Sequence, residues 1–179
     1  MTPATLTPLK RVSILATEGV FASTLLQAKD FFHMASLRYG KQLGLGLTPS
    51  FEIHLVSPDG LPVRSFSNVM IPVDGHLDDA DVIILPAFWD DFDALCARHP
   101  QVLTWLGERH GAGAAICGEA TGVFWMAQSG LLDGKEATTY WRFFNEFAER
   151  FPRVLLNQEK HLSDADNLYC AGGVTSACD

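Results

Sequence analysis

The chain has 179 residues, a net charge of −8 and a hydrophobic content of 47%, which favour one folded domain with a substantial buried core. No basic stripe is present, which argues against a surface that grips the phosphates of DNA. No stretch approaches the roughly 18 apolar residues of a membrane span, and the N-terminus lacks a signal-peptide pattern. We therefore expect a cytoplasmic protein without a membrane partner.

Predicted strands and helices alternate along the chain. In order, they are a strand at 12–17, a helix at 23–40, a strand at 51–57, a short β-ribbon within 63–75, a buried strand within 78–89, a helical segment at 91–111, a strand at 112–117, helices at 121–132 and 142–152, and short strands at 153–157 and 167–173. Residues 91–111 form one helix or two helices broken near Pro100. Residues 41–50 are predicted as a loop, 135–141 as a short strand or loop, and 173–179 as the first turn of a helix.

The helix at 23–40 carries many apolar side chains. Most of them fall on one helical stripe: Leu25, Leu26, Phe31, Phe32, Met34, Ala35 and Leu37. The alternation of strands and helices predicts a flavodoxin-like, doubly wound α/β domain over residues 1–179, with a mostly parallel sheet and helices on both faces. In such sheets ligands bind beyond the carboxyl ends of the strands.

The four cysteines fit a reducing compartment and predict no metal site or other cofactor. Cys96, Cys117, Cys170 and Cys178 include no C-x-x-C pair and no zinc-like spacing with histidine. The motifs of serine hydrolases, dinucleotide-binding folds and P-loops are also absent from the sequence.

Cys117 is the candidate nucleophile, because it ends a predicted strand just before a helix. Its alternative role is a small apolar residue that fills space in the strand. Glu119, in the turn that follows, is either a general base or an anion favoured by the helix N-terminus. Glu18, after the first strand, faces the same edge, and the aromatic pair Phe88 and Trp89 follows another strand end and can wall a small-molecule pocket.

The segment AICGEATGVFWMAQSGLLDGKEATTYW, followed later by NLYCAGGVTSACD, resembles the ThiJ/PfpI domain of AraC-type transcriptional regulators, which belongs to the class I glutamine amidotransferase-like superfamily. The resemblance is specific over 114–141 and 168–179 and loose over 40–75. It implies a ligand-sensing domain that forms homodimers. It also implies that a C-terminal helix-turn-helix domain beyond residue 179 contacts DNA.

The register of this resemblance decides where a nucleophile would lie. Anchoring on GLLDG at 130–134 places the family's elbow cysteine at Ala120, while Cys117 matches an upstream cysteine. The family histidine falls at Tyr140, and the early acid of enzymatic relatives falls near Thr24. These departures favour a sensor that is not an enzyme. We expect Ala120, and not Cys117, at the exposed apex of the strand-to-helix turn.

The predicted site therefore binds a small-molecule effector. The predicted ligand-binding residues are Glu18, Phe88, Trp89, Glu119, Ala120, Thr121 and Tyr140. The alternative is a hydrolase- or amidase-like enzyme of the same superfamily, which uses Cys117 as nucleophile and Glu119 or Glu18 as base. The direction of the Cys117 thiol, into a pocket or into the core, separates the two.

Overall fold

A computed structural model of the chain describes residues 9–42 and 51–173. Its strands are β1 (Lys10–Leu15), β2 (Phe51–Val56), β3 (Val63–Arg64), β4 (Met70–Ile71), β5 (Val82–Leu85), β6 (Ala115–Glu119), β7 (Glu136–Ala137), β8 (Leu155–Leu156), β9 (Leu162–Ala165) and β10 (Leu168–Ala171). Its α-helices are α1 (Ala22–Gln42), α2 (Phe92–Arg98), α3 (Gln101–Gly111), α4 (Val123–Gln128) and α5 (Phe144–Arg150). Short 3₁₀ turns cover Ala120–Gly122 and Trp141–Phe143.

Six strands form the central sheet in the order β2, β1, β5, β6, β10, β9. Neighbouring strands are parallel except for β9, which runs antiparallel to β10 at one edge. The predicted mostly parallel α/β sheet is thereby confirmed. Two small pairs lie outside it: β3 and β4, which form the predicted ribbon, and β7 and β8.

The sheet is buried on both faces, because its central strands are apolar at successive positions. On one face, Ile14 and Ile84 pack against α1 through Leu25. On the other face the larger core brings together side chains of β5, β6, α2, α3, α4 and α5, among them Leu85, Ile116, Leu95, Leu106, Trp125 and Phe147. Two helix-covered faces leave the carboxyl ends of the strands as the open edge.

Pro100 separates two helices, which resolves the alternative left open for 91–111. The Asp91 side chain caps α2 by accepting a hydrogen bond of 3.1 Å from the backbone N–H of Ala94.

The predicted helix at 121–132 is too long, since α4 ends at Gln128. Gly130 then takes a φ of 79°, a conformation that ends a helix.

Strand β6 begins and ends later than predicted and extends to Glu119. Glu119 is therefore a strand residue, and its expected place in the turn is wrong. Strand β9 was not predicted, because its sequence LSDA has no run of apolar residues. Residues 43–50 of the predicted loop, and the predicted helical turn apart from Gly173, lie outside the described residues.

Helix α1 confirms the predicted helix, but its apolar residues do not share one buried stripe. Leu25 and Ala28 face the sheet. Four large apolar side chains are exposed instead: Leu26, Phe31, Met34 and Leu37. No helix in the described ranges has both the length and the apolar character needed to cross a membrane.

Candidate functional site

A sharp turn joins β6 to α4 at Ala120. Glu119 still has extended backbone, with φ −107° and ψ 122°. Ala120 has φ 50°, which is unusual for a residue with a β-carbon. The 3₁₀ turn Ala120–Gly122 then leads directly into α4. The structure thus places the elbow of the turn at residue 120, and Cys117 lies three residues earlier in the strand.

Two threonine side chains fix the elbow. Thr121 Oγ1 donates a hydrogen bond of 2.7 Å to the Phe88 carbonyl oxygen and accepts one of 2.8 Å from the Phe88 N–H. Thr139 Oγ1 donates a hydrogen bond of 2.7 Å to the carbonyl oxygen of Ala120. The elbow is therefore tied both to the segment after β5 and to the segment after β7.

The close packing of the elbow requires glycine at position 122. A β-carbon there would overlap the carbonyl oxygen of Leu85, at the end of β5. Any larger residue would push α4 away from the sheet. The ATG sequence of residues 120–122 thus suits a turn pressed against the neighbouring strand.

The expected exposure of Ala120 is wrong. Its side chain is only 1% exposed, because the turn is packed against the rest of the domain. The side chain of Ala120 is therefore a buried methyl group at the elbow, and it has no atom that can act as a nucleophile, an acid or a base.

Cys117 lies on the face of the sheet that α1 covers, and it lines a cavity of about 460 Å³ together with Glu119. The thiol is thus partly buried, yet it borders a cavity. Burial raises the pKa of the Cys117 thiol to about 12, and the nearby Glu119 carboxyl adds to the shift. The thiol is therefore protonated at neutral pH.

Glu119 is 7% exposed and also borders this cavity. Its Oε2 has no hydrogen-bond partner among the described residues. Burial raises the pKa of this carboxyl to about 7. Glu119 is therefore a buried acid that exchanges its proton near neutral pH.

A second cavity, of about 270 Å³, opens beyond the carboxyl end of β5. Phe88, Trp89 and Thr121 line it, so three of the predicted ligand-binding residues come together. Its remaining lining is aromatic or charged: Asp90, Asp91, Phe92, Asp93, Phe124, Phe143, Glu146 and Arg150. We call this cavity the β5 groove.

Phe88 forms the buried floor of the β5 groove and stacks on Phe92 with 5.7 Å between ring centroids. Trp89 is 44% exposed, and its ring meets the edge of Phe143 at 5.6 Å. Arg150 stays at the wall, where it pairs with Asp93 and lies 5.0 Å from the Phe92 ring centroid. The groove therefore has a rigid aromatic floor and a partly open aromatic rim.

The other predicted ligand-binding residues lie apart from the β5 groove. Glu18 follows β1 and lies 3.8 Å from Nε2 of His99. Tyr140 is half-buried and contacts Phe143, with 6.2 Å between ring centroids, but it does not line the groove itself. Glu119 faces α1, in the cavity that Cys117 also lines.

Sequence reasoning missed the residues that α1, α5 and β10 contribute. Phe143 and Arg150 complete the β5 groove, while Phe31 and Tyr169 complete the cavity beside Cys117. Tyr169 of β10 lies opposite Cys117 of β6 in the parallel ladder, and residues opposite each other point to the same face of the sheet. That signal needs the strand order, which the sequence does not give.

Among residues 9–42 and 51–173, no three His, Cys, Asp or Glu side chains cluster as metal ligands. Nor does any described side chain form a hydrogen bond with the Cys117 thiol that would mark a general base. The described residues thus form two cavities, a walled groove at the sheet edge and a partly apolar cavity on one face.

The chain resembles known transcriptional regulators in sequence. It is 32% identical over 129 residues to the HTH-type transcriptional regulator CdhR of Pseudomonas aeruginosa. The aligned region covers 70% of this chain and 38% of CdhR. It is also 25% identical over 138 residues to isonitrile hydratase of Pseudomonas putida, covering 75% of this chain and 58% of the hydratase. The chain thus spans well under half the length of the regulator. No protein-family model matches it.

Several solved structures share the fold of this chain at low sequence identity. A transcriptional regulator described as putative, from Vibrio parahaemolyticus, superposes with a TM-score of 0.79 at 22% identity, covering 93% of this chain and 85% of that one. DJ-1beta of Drosophila melanogaster gives 0.71 at 18% identity, covering 94% and 84%. An AraC family transcriptional regulator from Pseudomonas putida gives 0.69 at 17% identity, covering 94% and 86%.

Proposed function

Because this chain has the DJ-1/ThiJ/PfpI fold and is a homologue of HTH-type transcriptional regulators, we propose that it is the effector-sensing and dimerisation domain of an AraC-type regulator. It has no enzymatic activity of its own in this proposal. DNA is contacted by a separate helix-turn-helix domain. The small-molecule effector binds in the β5 groove.

The observation that carries the proposal is the buried methyl group of Ala120 at the elbow. This turn has the sharp geometry that presents a nucleophile in strand-to-helix elbows. An alanine retains the geometry and removes the reacting atom. Binding without reaction is what a sensor needs, because its ligand acts by favouring one of two conformations.

The β5 groove suits sensing because it joins several elements. Its lining comes from the segment after β5, α2, the elbow, α4, the 3₁₀ turn Trp141–Phe143 and α5. Thr121 connects the elbow to the floor residue Phe88 through two hydrogen bonds. A ligand that moves Trp89 or Phe143 therefore acts on α4 and α5 together.

The experiment is a thermal-shift screen of the 179-residue chain against polar metabolites of small size. A compound that raises the melting temperature of the wild-type chain should no longer do so in Trp89→Ala, which removes the rim of the groove. It should keep its shift in the control Trp141→Ala, because Trp141 is 65% exposed and does not line the groove. A screen without hits, or hits that ignore Trp89, would argue against the groove as the effector site.

The second candidate is a superfamily enzyme that uses Cys117 as nucleophile and Glu119 as acid or base. It is favoured by one observation, that both side chains line the same cavity. Isonitrile hydratase shows that similar sequences include an enzyme. The raised pKa of the Cys117 thiol weighs against it, because the thiolate is the nucleophile.

Iodoacetamide labelling with peptide mapping separates the two functions. A sensor should show Cys117 modified far more slowly than a free thiol at pH 7.5, and no turnover of isonitriles, esters or amides. Fast modification of Cys117, together with a turnover that Cys117→Ser abolishes, would establish the enzyme instead.

A further inference from the structure

The cavity beside Cys117 has the size and wall of a small-molecule site. Its volume is about 460 Å³, within the range of ligand pockets. Helix α1, β5, β9 and β10 supply an apolar wall, which includes Ala28, Phe31, Phe32, Ile84, Leu162 and Tyr169. We call it the α1 cavity. It lies on the opposite face of the sheet from the core beneath the β5 groove.

One buried carboxyl points to the chemistry of its occupant. Glu119 is more than nine-tenths buried, lines the α1 cavity and leaves Oε2 without a partner among the described residues. A carboxyl group buried without a hydrogen-bond partner is costly, so a cationic donor that enters the α1 cavity and pairs with the Glu119 carboxyl relieves that cost. Burial also raises the pKa of the carboxyl to about 7, which a cationic partner would lower again.

The other lining groups select the charge of the ligand. No lysine, arginine or histidine among the described residues lines the α1 cavity, so it offers an anion no cationic side chain. Its other titratable groups are Cys117 on β6 and Tyr169 and Cys170 on β10, while α1 contributes only the Gln27 amide as a polar group. The rings of Phe31, Phe32 and Tyr169 provide aromatic surface, which favours a cation over a neutral group.

We propose that the α1 cavity binds a protonated primary amine that carries an apolar alkyl or aryl group. The ammonium donates a hydrogen bond to Glu119, and the hydrocarbon packs between α1 and β10. This site is separate from the β5 groove and does not depend on the effector role proposed there.

Isothermal titration of the 179-residue chain with hexylamine, benzylamine and hexanol at pH 8 tests the proposal. Each amine should bind at least tenfold more tightly than hexanol, and hexanoate should not bind. Glu119→Gln should abolish the preference for amines, whereas the control Glu159→Gln, which alters an exposed residue outside the cavity, should retain it. Amine affinity should also fall from pH 8 to pH 6, because protonation of Glu119 removes the charge while the amine stays protonated.

The Cys117 thiol supplies a readout that does not need a variant. Bound hexylamine should slow alkylation of Cys117 by N-ethylmaleimide at pH 8 severalfold, as measured by peptide mapping, and hexanoate should not. Equal binding of amine and alcohol, an amine preference that survives in Glu119→Gln, or unchanged alkylation of Cys117 at saturating hexylamine would each overturn the proposal.

Discussion

Glu119 is the residue whose ionisation most directly affects the stability of this domain. Its pKa in the folded chain is about 7, against an ordinary value of 4.5, because burial disfavours the charge. The folded state therefore binds more protons than the unfolded state between these two values. The contribution of protonated Glu119 to the free energy of unfolding is fully present below about pH 4.5 and is lost as the pH rises through 7.

Replacing Glu119 with glutamine should remove this pH dependence. A shift of this size corresponds to at most about 3 kcal/mol, so Glu119→Gln should gain up to that amount on wild type between pH 5 and pH 8. Urea unfolding at both pH values measures the difference. The exposed Glu159→Gln should follow wild type, and an equal offset of Glu119→Gln at pH 5 and pH 8 would contradict the raised pKa.

Thr121 holds the elbow through the backbone N–H and carbonyl oxygen of Phe88, which have no other hydrogen-bond partner among the described residues. Thr121→Val keeps the shape of the side chain but removes both hydrogen bonds to Phe88, where the backbone is buried. We expect the free energy of unfolding to fall by about 1–3 kcal/mol. Chemical denaturation measures it, with the exposed Thr104→Val of α3 as a control that should change it by less than about 0.5 kcal/mol. A Thr121→Val variant as stable as this control would show that the bonds contribute little.

At the scale of elements, α1 carries an exposed apolar surface. Leu26, Met34 and Leu37 are each more than two-fifths exposed, although they are large apolar side chains on one helix. An exposed apolar patch of this kind marks an interaction surface more often than a free one. We expect two copies of the chain to pack through α1.

Light scattering after size exclusion tests this contact. Wild type should have twice the 19.6 kDa mass of the chain, and the double variant Leu26→Glu, Met34→Glu should have the mass of one chain. Ala148→Glu, on the exposed side of α5, should remain a dimer. A wild-type monomer, or a double variant that still dimerises, would exclude this interface.

Elements differ in how well the sequence predicts them. The buried strand at β5 and the break at Pro100 follow from local apolar runs and from proline chemistry, so the sequence suffices. The face on which Glu119 lies does not follow, because it depends on where β6 ends. The strand ends two residues later than predicted, which turns an expected loop residue into a strand residue that lines a cavity. Strand β9 was missed because Ser163 and Asp164 give it no apolar run. It pairs with β10 as a local hairpin, which Asp166 and Asn167 close with positive φ.

At the scale of the whole molecule, the elbow residue could be predicted and its surroundings could not. The spacing from GLLDG placed the elbow at Ala120, and the positive φ of that residue agrees. The burial of Ala120 depends on Thr139, which lies 19 residues away and hydrogen-bonds to its carbonyl oxygen. Phe143 and Arg150 reach the β5 groove in the same way, through contacts of the 3₁₀ turn Trp141–Phe143 with α4 and of α5 with α2.

The overall charge leads to a prediction about DNA. The chain carries 21 acidic and 13 basic side chains, and many basic groups of the described residues are held in ion pairs, such as Arg109 with Asp79 and Arg153 with Asp133. Phosphate contacts and the release of counterions supply most non-specific affinity for a duplex, and a surface with net charge −8 offers few of them.

We therefore expect the 179-residue chain to bind duplex DNA no more tightly than about 10⁻⁴ M at physiological salt, the weak end of non-specific binding. Fluorescence anisotropy with a labelled duplex measures this affinity, and the same titration at 50 mM and 200 mM salt reports how many phosphates are contacted. Sub-micromolar binding that weakens steeply with salt would place a DNA-binding surface on this domain and contradict a sensor that acts through a separate helix-turn-helix domain. Weak binding at both salt concentrations is the expected result, because the acidic surface repels the phosphates before any contact forms.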